Sequence, residues 1–494
     1  MRHRFIPQMS LGAIPIPDIT FNLSSRHELV PILIAIQYLY VHCKDTLDKI
    51  LGMIAADIST CENPNRGCVG LSHWENLVMA SLRQGCDFDF DNLADSASYH
   101  KKVRQIMGLS DWDDKTYRRS TIQDNISKLQ PETLQAISEL VVSLGHQLCQ
   151  DPLKRVRGDS FVLKKNVHYP TDSNLICDGI RKLVEISKKI ADEFDLSGWR
   201  QHDYLKCKAK RTLRKLTSIA RRRQPDRDIQ MRAAYVDLLE QADRIIQRAV
   251  ETINAVDAQV KAEIRTISHY WESYLTELHY FIGGTEYACQ LARRRVFEDE
   301  SIPNTDKAFS LFEPDTELIN RGKTPYPIEF GHRVLIIQDS AGFIIHSQEM
   351  GIGFTDEKII VDVMKNLQAR YNGRIQAASF DKGFWKPTNL KELTKHIPLV
   401  VLPKKGRLGE ADKERESGEE FKKIRKWHPG VESAIHALGA GSGMKVCRDK
   451  GPTGYRRYVA MATLGRNLHT LGKILIEKER KRQKQDSLLE FVIG

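Results

Sequence analysis

The sequence predicts an α/β core, a mixed sheet flanked by helices, with a helical N-terminal domain before it and a long helical, coiled-coil insertion after its first strand. Three observations predict this. Residues 1–150 carry apolar side chains at helical spacing. The texture changes at Arg155, beyond which residues 156–163 alternate and are rich in β-formers. A helical stretch over 174–299 then intervenes before strands resume at Arg333.

A length of 494 residues suggests two to four domains. With 41% hydrophobic and 28% charged residues, the chain reads as soluble and globular rather than disordered. The longest apolar run, 29–41, falls short of a membrane span. The opening MRHRFIPQMS is basic but lacks the apolar region and cleavage site of a signal peptide. The expectation is a cytosolic protein with no membrane partner. Nine scattered cysteines without a CxxC read as reduced thiols, and Cys61 with Cys68 would make only half of a zinc site. The net charge of +11 favours a polyanionic partner, most simply nucleic acid.

Along the N-terminal region, 29–54, 74–82 and 134–148 read as helices. Residues 115–122 start another after a turn at 111–114, giving either a small helix-turn-helix unit that would make 1–150 a DNA-binding domain recognising DNA ends, or a plain bundle. The core's first strand is 156–163, and 166–169 reads as a second short strand stopped by Pro170. In the insertion, Ala242, Ile246, Ala249, Ile253, Val256, Val260, Ile267, Tyr270 and Tyr274 follow heptad steps, with Glu263 in the odd slot. One continuous helix over that span would be roughly 50 Å long. Its stripe must face a returning helix of the same chain, the core, or a second subunit. From 200 to 232 there are twelve Lys/Arg against three Asp. That is either a solvated helix face or a phosphate-tracking surface, with Lys210, Arg211, Arg214, Arg221, Arg222 and Arg223 as the candidate DNA contacts.

Strands at 333–338 and 342–347 form a hairpin turning at Asp339. There follow a helix (356–371), a strand (375–380), a helix (388–396), a strand (398–402), a charged loop (403–418), a helix carrying Glu432 and a final helix (456–484). The domain boundaries expected are 1–150, 151–173 for the start of the core, 174–300 for the insertion, 301–472 for the rest of the core, and 473–494 for a basic tail.

Laid end to end, a strand carries Asp159, a later strand delivers Asp381, and a helix carries Glu432. That is the order of an RNase H-like nuclease core. Cutting a phosphodiester calls for an activated oxygen nucleophile and neutralised charge on the leaving oxygen. Two Mg²⁺ ions about 3.5–4 Å apart do both, and such hard cations take carboxylate ligands. Asp159 would bridge the ions, Asp381 would ligate one and Glu432 the other. The bland readings are a turn cap for Asp159, a turn aspartate for Asp381 and a solvent-facing Glu432. Asp172 and Asp339 are rival acids, and His428/Glu432/His436 is a rival zinc set.

The chain resembles the DDE transposases of bacterial insertion sequences. The resemblance rests on Gly158-Asp-Ser, residues 166–173, Leu311-Phe-Glu-Pro-Asp-Thr-Glu317 with Arg321-Gly-Lys323, Asp381-Lys-Gly383, His428-Pro-Gly-Val-Glu432 through Leu438, and residues 459–472. It implies a metal-binding catalytic triad of Asp159, Asp381 and Glu432, with two Mg²⁺ (or Mn²⁺). It implies double-stranded DNA as partner, a homodimer or larger assembly on DNA, and a nucleoid location. Many relatives place Tyr and Arg seven and four residues before the glutamate and Lys seven after; here those positions hold Arg425, His428 and Gly439. Lys382, Lys404, Lys405, Arg425 and His428 are further candidate DNA contacts, and Trp385 either stacks on an unpaired base or is core. The alternatives are a non-catalytic DNA-binding protein derived from a transposase and an RNase H-like structure-selective nuclease.

Overall fold

The computed structural model describes residues 12–58, 70–322 and 327–493, with side chains through residue 486. Cys61, Cys68 and Lys323 lie outside the described residues. The chain divides into two compact units, one of Met1–Asn166 with Gly331–Gly494, the other Val167–Phe330.

The larger unit begins with α1 (Leu29–His42) and α2 (Lys44–Ile58), separated where Cys43 leaves the helical region at φ −130°, ψ 49°. Next is α3 (His73–Gly85). Its first turn is closed reciprocally: the Ser72 hydroxyl accepts from Glu75 N–H, and the Glu75 carboxylate accepts from Ser72 N–H. Then come α4 (Phe90–Tyr99), α5 (Lys101–Ile106), α6 (Arg119–Ile126) and α7 (Pro131–Gln147). Helix α6 starts four residues later than the sequence suggests. The Arg104 guanidinium holds the Lys115 carbonyl at 2.8 Å, and Tyr117 N–H donates to the Ser98 hydroxyl, so this stretch stays non-helical.

Strand β1 (Val156–Lys165) follows, and the expected strand at 166–169 is absent. That backbone instead leads into α8 (Asp172–Glu193), whose Thr171 cap accepts from Asn174 N–H. The smaller unit contains α8, α9 (His202–Ala220), α10 (Arg227–Lys261), α11 (His269–Phe297) and β2 (Glu317–Asn320). The four helices pack on one another around their own core. The heptad stripe is not one rod. It breaks between Lys261 and His269, where Glu263, the odd member of the pattern, turns the chain at φ 55°. Ala242, Ala249 and Val256 are fully covered by helices of the same chain, so the stripe from Ala242 to Val256 is bundle core, while Tyr270, beyond the break, is exposed.

The larger unit resumes in β3 (Ile328–Asp339), whose first three residues belong to the smaller one. After it come β4 (Ile344–Glu349), α12 (Asp356–Arg370), β5 (Ala377–Ser379), α13 (Pro387–His396), β6 (Leu399–Val401), α14 (Glu410–Ser417), α15 (Glu419–Trp427), α16 (Gly430–Gly441), β7 (Val446–Cys447) and α17 (Gly451–Ile493). The sheet order is β2-β3-β1-β5-β6, with β4 on β3 and β7 on β1. Strands β4, β3 and β1 are antiparallel; β1, β5 and β6 are parallel. The expected loop 403–418 is half helix: Lys404 pairs with Asp412 at 2.5 Å and its backbone N–H donates to Glu416, which folds α14 back.

The boundaries differ from those read in the sequence. The N-terminal helices share one core with the sheet, because α17 packs on α1, α3, α7 and β4. Residues 301–330 belong with the helical bundle: Tyr280 and Tyr287 donate to the carbonyls of Leu311 and Asp306. The expected tail 473–494 is, through Ile493, a continuation of α17. Among the described residues, no helix is long and apolar enough to cross a membrane.

Ile253→Asp would place an unpaired charge in the bundle core, at a cost of several kcal/mol. The variant should melt at a clearly lower temperature while its oligomeric state, read by light scattering, stays that of the parent. Dissociation into smaller species without a melting shift would instead place this stripe between subunits.

Candidate active site

Alternation along β1 puts Arg157, Asp159 and Phe161 on one face of the sheet. This face is covered by α16, through a cluster that joins Phe161 and Leu163 to Val431, Ala434 and Leu438. Arg157 is fixed there. Its Nε and Nη2 donate to Gln338 Oε1 at 2.9 and 2.7 Å, its Nη1 donates to the Trp427 carbonyl at 2.8 Å, and its guanidinium lies 4.3 Å from the Trp427 ring centre. Gly430 makes room for it, since a Cβ there would fall 1.9 Å from Arg157 Nη1.

Asp159 follows two residues on, half-buried, with Oδ1 accepting from Ser160 N–H at 2.7 Å. The parallel β1–β5 register pairs Val156 with Ala378 and Arg157 with Ser379. Continued by two residues, it brings Asp159 level with Asp381. Asp381 is exposed just past β5, and its Oδ1 accepts from Gly383 N–H at 2.8 Å. Glu432 is exposed in the first turn of α16, where the helix dipole favours a carboxylate.

His428 links the second and third acids. It caps the end of α15, half-buried, with Nδ1 buried and without a hydrogen-bond partner. Burial, aided by the Arg157 charge, holds its imidazole below the ordinary value, against the pull of Asp381, the Ser379 backbone and Glu432. One imidazole therefore feels both Asp381 and Glu432.

A fourth carboxylate was missed in the sequence. Asp356, the first residue of α12, has Oδ2 within 3.4 Å of the position a Gly383 Cβ would take, and Asp381 Oδ1 is 2.9 Å from the same point. Its Oδ1 is buried with no hydrogen-bond partner. Burial pushes its carboxyl above the usual range, with Asp381 and Glu357 adding to the rise and the Ser160 hydroxyl and Arg333 opposing it. The donor set around Gly383 is all oxygen, the kind a hard divalent cation accepts. Among the described residues, however, no three His, Cys, Asp or Glu side chains gather closely enough to enclose one metal ion, and that includes the His428/Glu432/His436 set.

The rival acids have structural partners. Asp339 is buried in the β3–β4 turn, accepting from Ala341 and Phe343 N–H at 2.9 Å and lying 2.6 Å from His146 Nε2. Asp172 pairs with Arg295 at 2.5 Å. Among the candidate DNA contacts, Lys382 and Lys405 are exposed, Lys404 is paired with Asp412, and Arg425 lies 3.4 Å from Glu416. Trp385 is half-buried against the core with the Arg415 guanidinium 5.4 Å from its ring centre, so that ring is already partnered. Lys210, Arg211, Arg214, Arg221, Arg222 and Arg223 are exposed on the smaller unit. The signal for Arg157 was its place two residues before Asp159 on an alternating strand. For Asp356 the sequence offered only a Thr-Asp helix start, with no sign of which strand end it meets.

No protein-family model, curated protein or solved structure matches this chain.

Gly430→Ala should drive the Arg157 guanidinium out of its cradle and cost about 1–3 kcal/mol in denaturant unfolding, through lost charged hydrogen bonds. A variant as stable as the parent would mean the guanidinium re-seats freely. Asp356→Asn tests the burial of charge. A carboxyl raised in the folded state contributes stability below its unfolded pKa and loses it as pH rises through the folded pKa. In chelator-containing buffer the Asn variant should therefore melt higher than the parent near neutral pH, with the gap closing below about pH 4, the unfolded carboxyl range. Equal melting temperatures at neutral pH would contradict the buried charge.

Proposed function

We propose that this chain is a DDE-type transposase with an RNase H-like catalytic unit. It would cut DNA phosphodiesters at the ends of a mobile element to give 3′-hydroxyls, then join those to target DNA. The observation that carries the reading is the placement of three acids by one sheet: Asp159 on the central β1, Asp381 just past its parallel neighbour β5, and Glu432 on the helix covering that face. The sheet supports it too. Three antiparallel strands are extended through β1 by two parallel ones, and the helical unit is inserted after β1 without interrupting the ladder.

Both steps are in-line displacements at phosphorus, so one site serves both. Asp159, Asp381 and Glu432 would hold two Mg²⁺ ions, which supply charge neutralisation and an acidified water. The chain's own contribution is orientation. Gly383 N–H aims the Asp381 carboxylate and Ser160 N–H aims that of Asp159. Arg157 is held beside Asp159 by Gln338 and Trp427. His428, with its proton affinity lowered by burial, lies within electrostatic reach of both Asp381 and Glu432.

A second reading, a DNA-binding protein that does not cut, is favoured by the looseness of the acid cluster. Asp381→Asn keeps the shape and removes the charge. It should lower Mg²⁺-dependent cleavage and strand transfer by at least about 1,000-fold, on the scale of several kcal/mol for lost electrostatic stabilisation. DNA affinity should stay within about threefold, less than the ~1.4 kcal/mol of a tenfold change. Parallel loss of binding and cleavage would assign Asp381 a structural role. A parent protein that binds DNA but neither cuts it nor joins a supplied 3′-hydroxyl end would leave the non-catalytic reading.

A further inference from the structure

The smaller unit has a surface that its own folding does not explain. Helix α9 buries Ala209, Thr212, Leu216 and Ile219 in the bundle. Its other face exposes Lys210, Arg211, Arg214 and Lys215 and runs on into the exposed turn Arg221-Arg-Arg223. From Lys206 to Arg223 the chain has no Asp or Glu. The neighbouring helices differ: α8, α10 and α11 each mix acids with bases, as in the pairs Arg181–Glu185, Arg244–Glu240 and Arg293–Asp243. Among the described residues, none of Lys210, Arg211, Arg214, Lys215, Arg221 and Arg223 is in an ion pair. Arg222 meets only the neutral Gln230 side chain. A charge run this one-sided repels itself, and among the described residues no acid is ion-paired with the six cations just named.

We propose that this face of α9, with the Arg221–Arg223 turn, is a docking surface for the phosphate backbone of double-stranded DNA. The proposal rests on the transposase reading for the choice of DNA as the polyanion, while the surface itself is argued from charge and exposure. Lys210, Arg214 and Arg221 recur at four and seven residues, so they share one helix face. They span roughly 16 Å at 1.5 Å per residue. Duplex DNA carries about one charge per 1.7 Å of axis, so this length meets a dense row of phosphates. Between Cys207 and Arg223 no large apolar side chain is exposed, and a helix lying in a lipid surface would need some. The run itself supplies only cations and no acid to accept from a base, so the contact is to backbone and is independent of base sequence.

The test uses the full chain in EDTA, so that binding is read apart from chemistry. Affinity for a duplex of arbitrary sequence is measured across about 50–200 mM salt for the parent and for Lys210→Gln/Arg214→Gln/Arg221→Gln. The variant should bind at least about tenfold more weakly at the low-salt end, and its log–log salt slope should be shallower by up to roughly 2.7, or 0.9 per lost phosphate contact. The exposed Cys207 lies on the same face and gives an independent readout on the unaltered protein. Duplex DNA should slow its alkylation, followed by peptide mass spectrometry, several-fold. Half-buried Cys177 and buried Cys289, both pushed up to about 12 by desolvation, serve as slow references. An unchanged salt slope together with unprotected Cys207 overturns the proposal, and so does tighter binding to duplex RNA than to duplex DNA. Loss of slope in a parent that never cuts DNA would keep the surface and remove the enzyme reading; cutting with an unchanged slope would do the reverse.

Discussion

Gly465 and Gly472 let α17 lie against α3 and α1 with backbone almost touching backbone. A Cβ at Gly465 would fall 2.6 Å from Gly85 N, and one at Gly472 would fall 1.9 Å from the Pro31 carbonyl. Such close approach brings many side-chain atoms into contact around the crossing, which is where packing energy accumulates. Between the two glycines, Asn467 is fully buried. Its amide donates to the Ser138 hydroxyl and the Ile344 carbonyl at 2.9 Å, and its oxygen accepts from Ile344 N–H at 2.8 Å. One helix thus ties the N-terminal helices, α7 and the edge strand β4 into a single core. This is why the N-terminal region does not form a domain of its own.

The same helix sets the sheet that carries the candidate site. The Tyr455 hydroxyl lies 2.8 Å from the Leu163 carbonyl and 3.2 Å from that of His332, at the far end of the β1–β3 ladder. With β1 held there and Arg157 locked at the near end, Asp159 cannot slide in register. Asp381 and Glu432 have weaker supports, a strand end and an exposed helix turn. Like charges resist collection: two carboxylates about 4 Å apart repel by ~4 kcal/mol at an effective dielectric of 20. Asp356 and Asp381 already share the space beside Gly383, and the proton affinity of Asp356 is raised, chiefly by burial, with Asp381 adding to the rise. A rigid first acid with two adjustable partners is what that repulsion leaves room for.

Much of this frame was legible in the sequence, because local pattern and global fold agree there. Alternating β-formers marked β1, and apolar runs bounded by glycine or proline marked β3, β5 and β6. Asp159, Asp381 and Glu432 fall on the strand, strand end and helix expected of them. The failures share one cause. Glu263 fitted a heptad slot by number, yet a left-handed turn there ends the helix. The loop before α15 holds a helix because Lys404 meets Asp412 and Glu416. Asp339 looked like a rival until His146, distant in sequence, covered it. Spacing along the chain reports which face a residue occupies, but not which remote side chain arrives to meet it.

The distribution of charge follows from the same logic. Around the acids, most cations already have internal partners: Arg157 on Gln338 and Trp427, Lys404 on Asp412, Arg415 on Glu416, Arg425 on Glu416. A guanidinium locked in this way positions a strand or a loop and gives little of its field to an incoming polyanion. A site built from several carboxylates also repels phosphate at long range, so any attraction from nearby cations must first exceed that repulsion. If the partner is a polyanion, as proposed, the excess of +11 would act from surfaces where cations are unpaired. The run from Lys210 to Arg223 is such a surface, and it belongs to the inserted unit, which folds on its own core. On the proposed reading, separating the two tasks would let the acids stay concentrated for chemistry while attraction would come from a helix that packs in its own core.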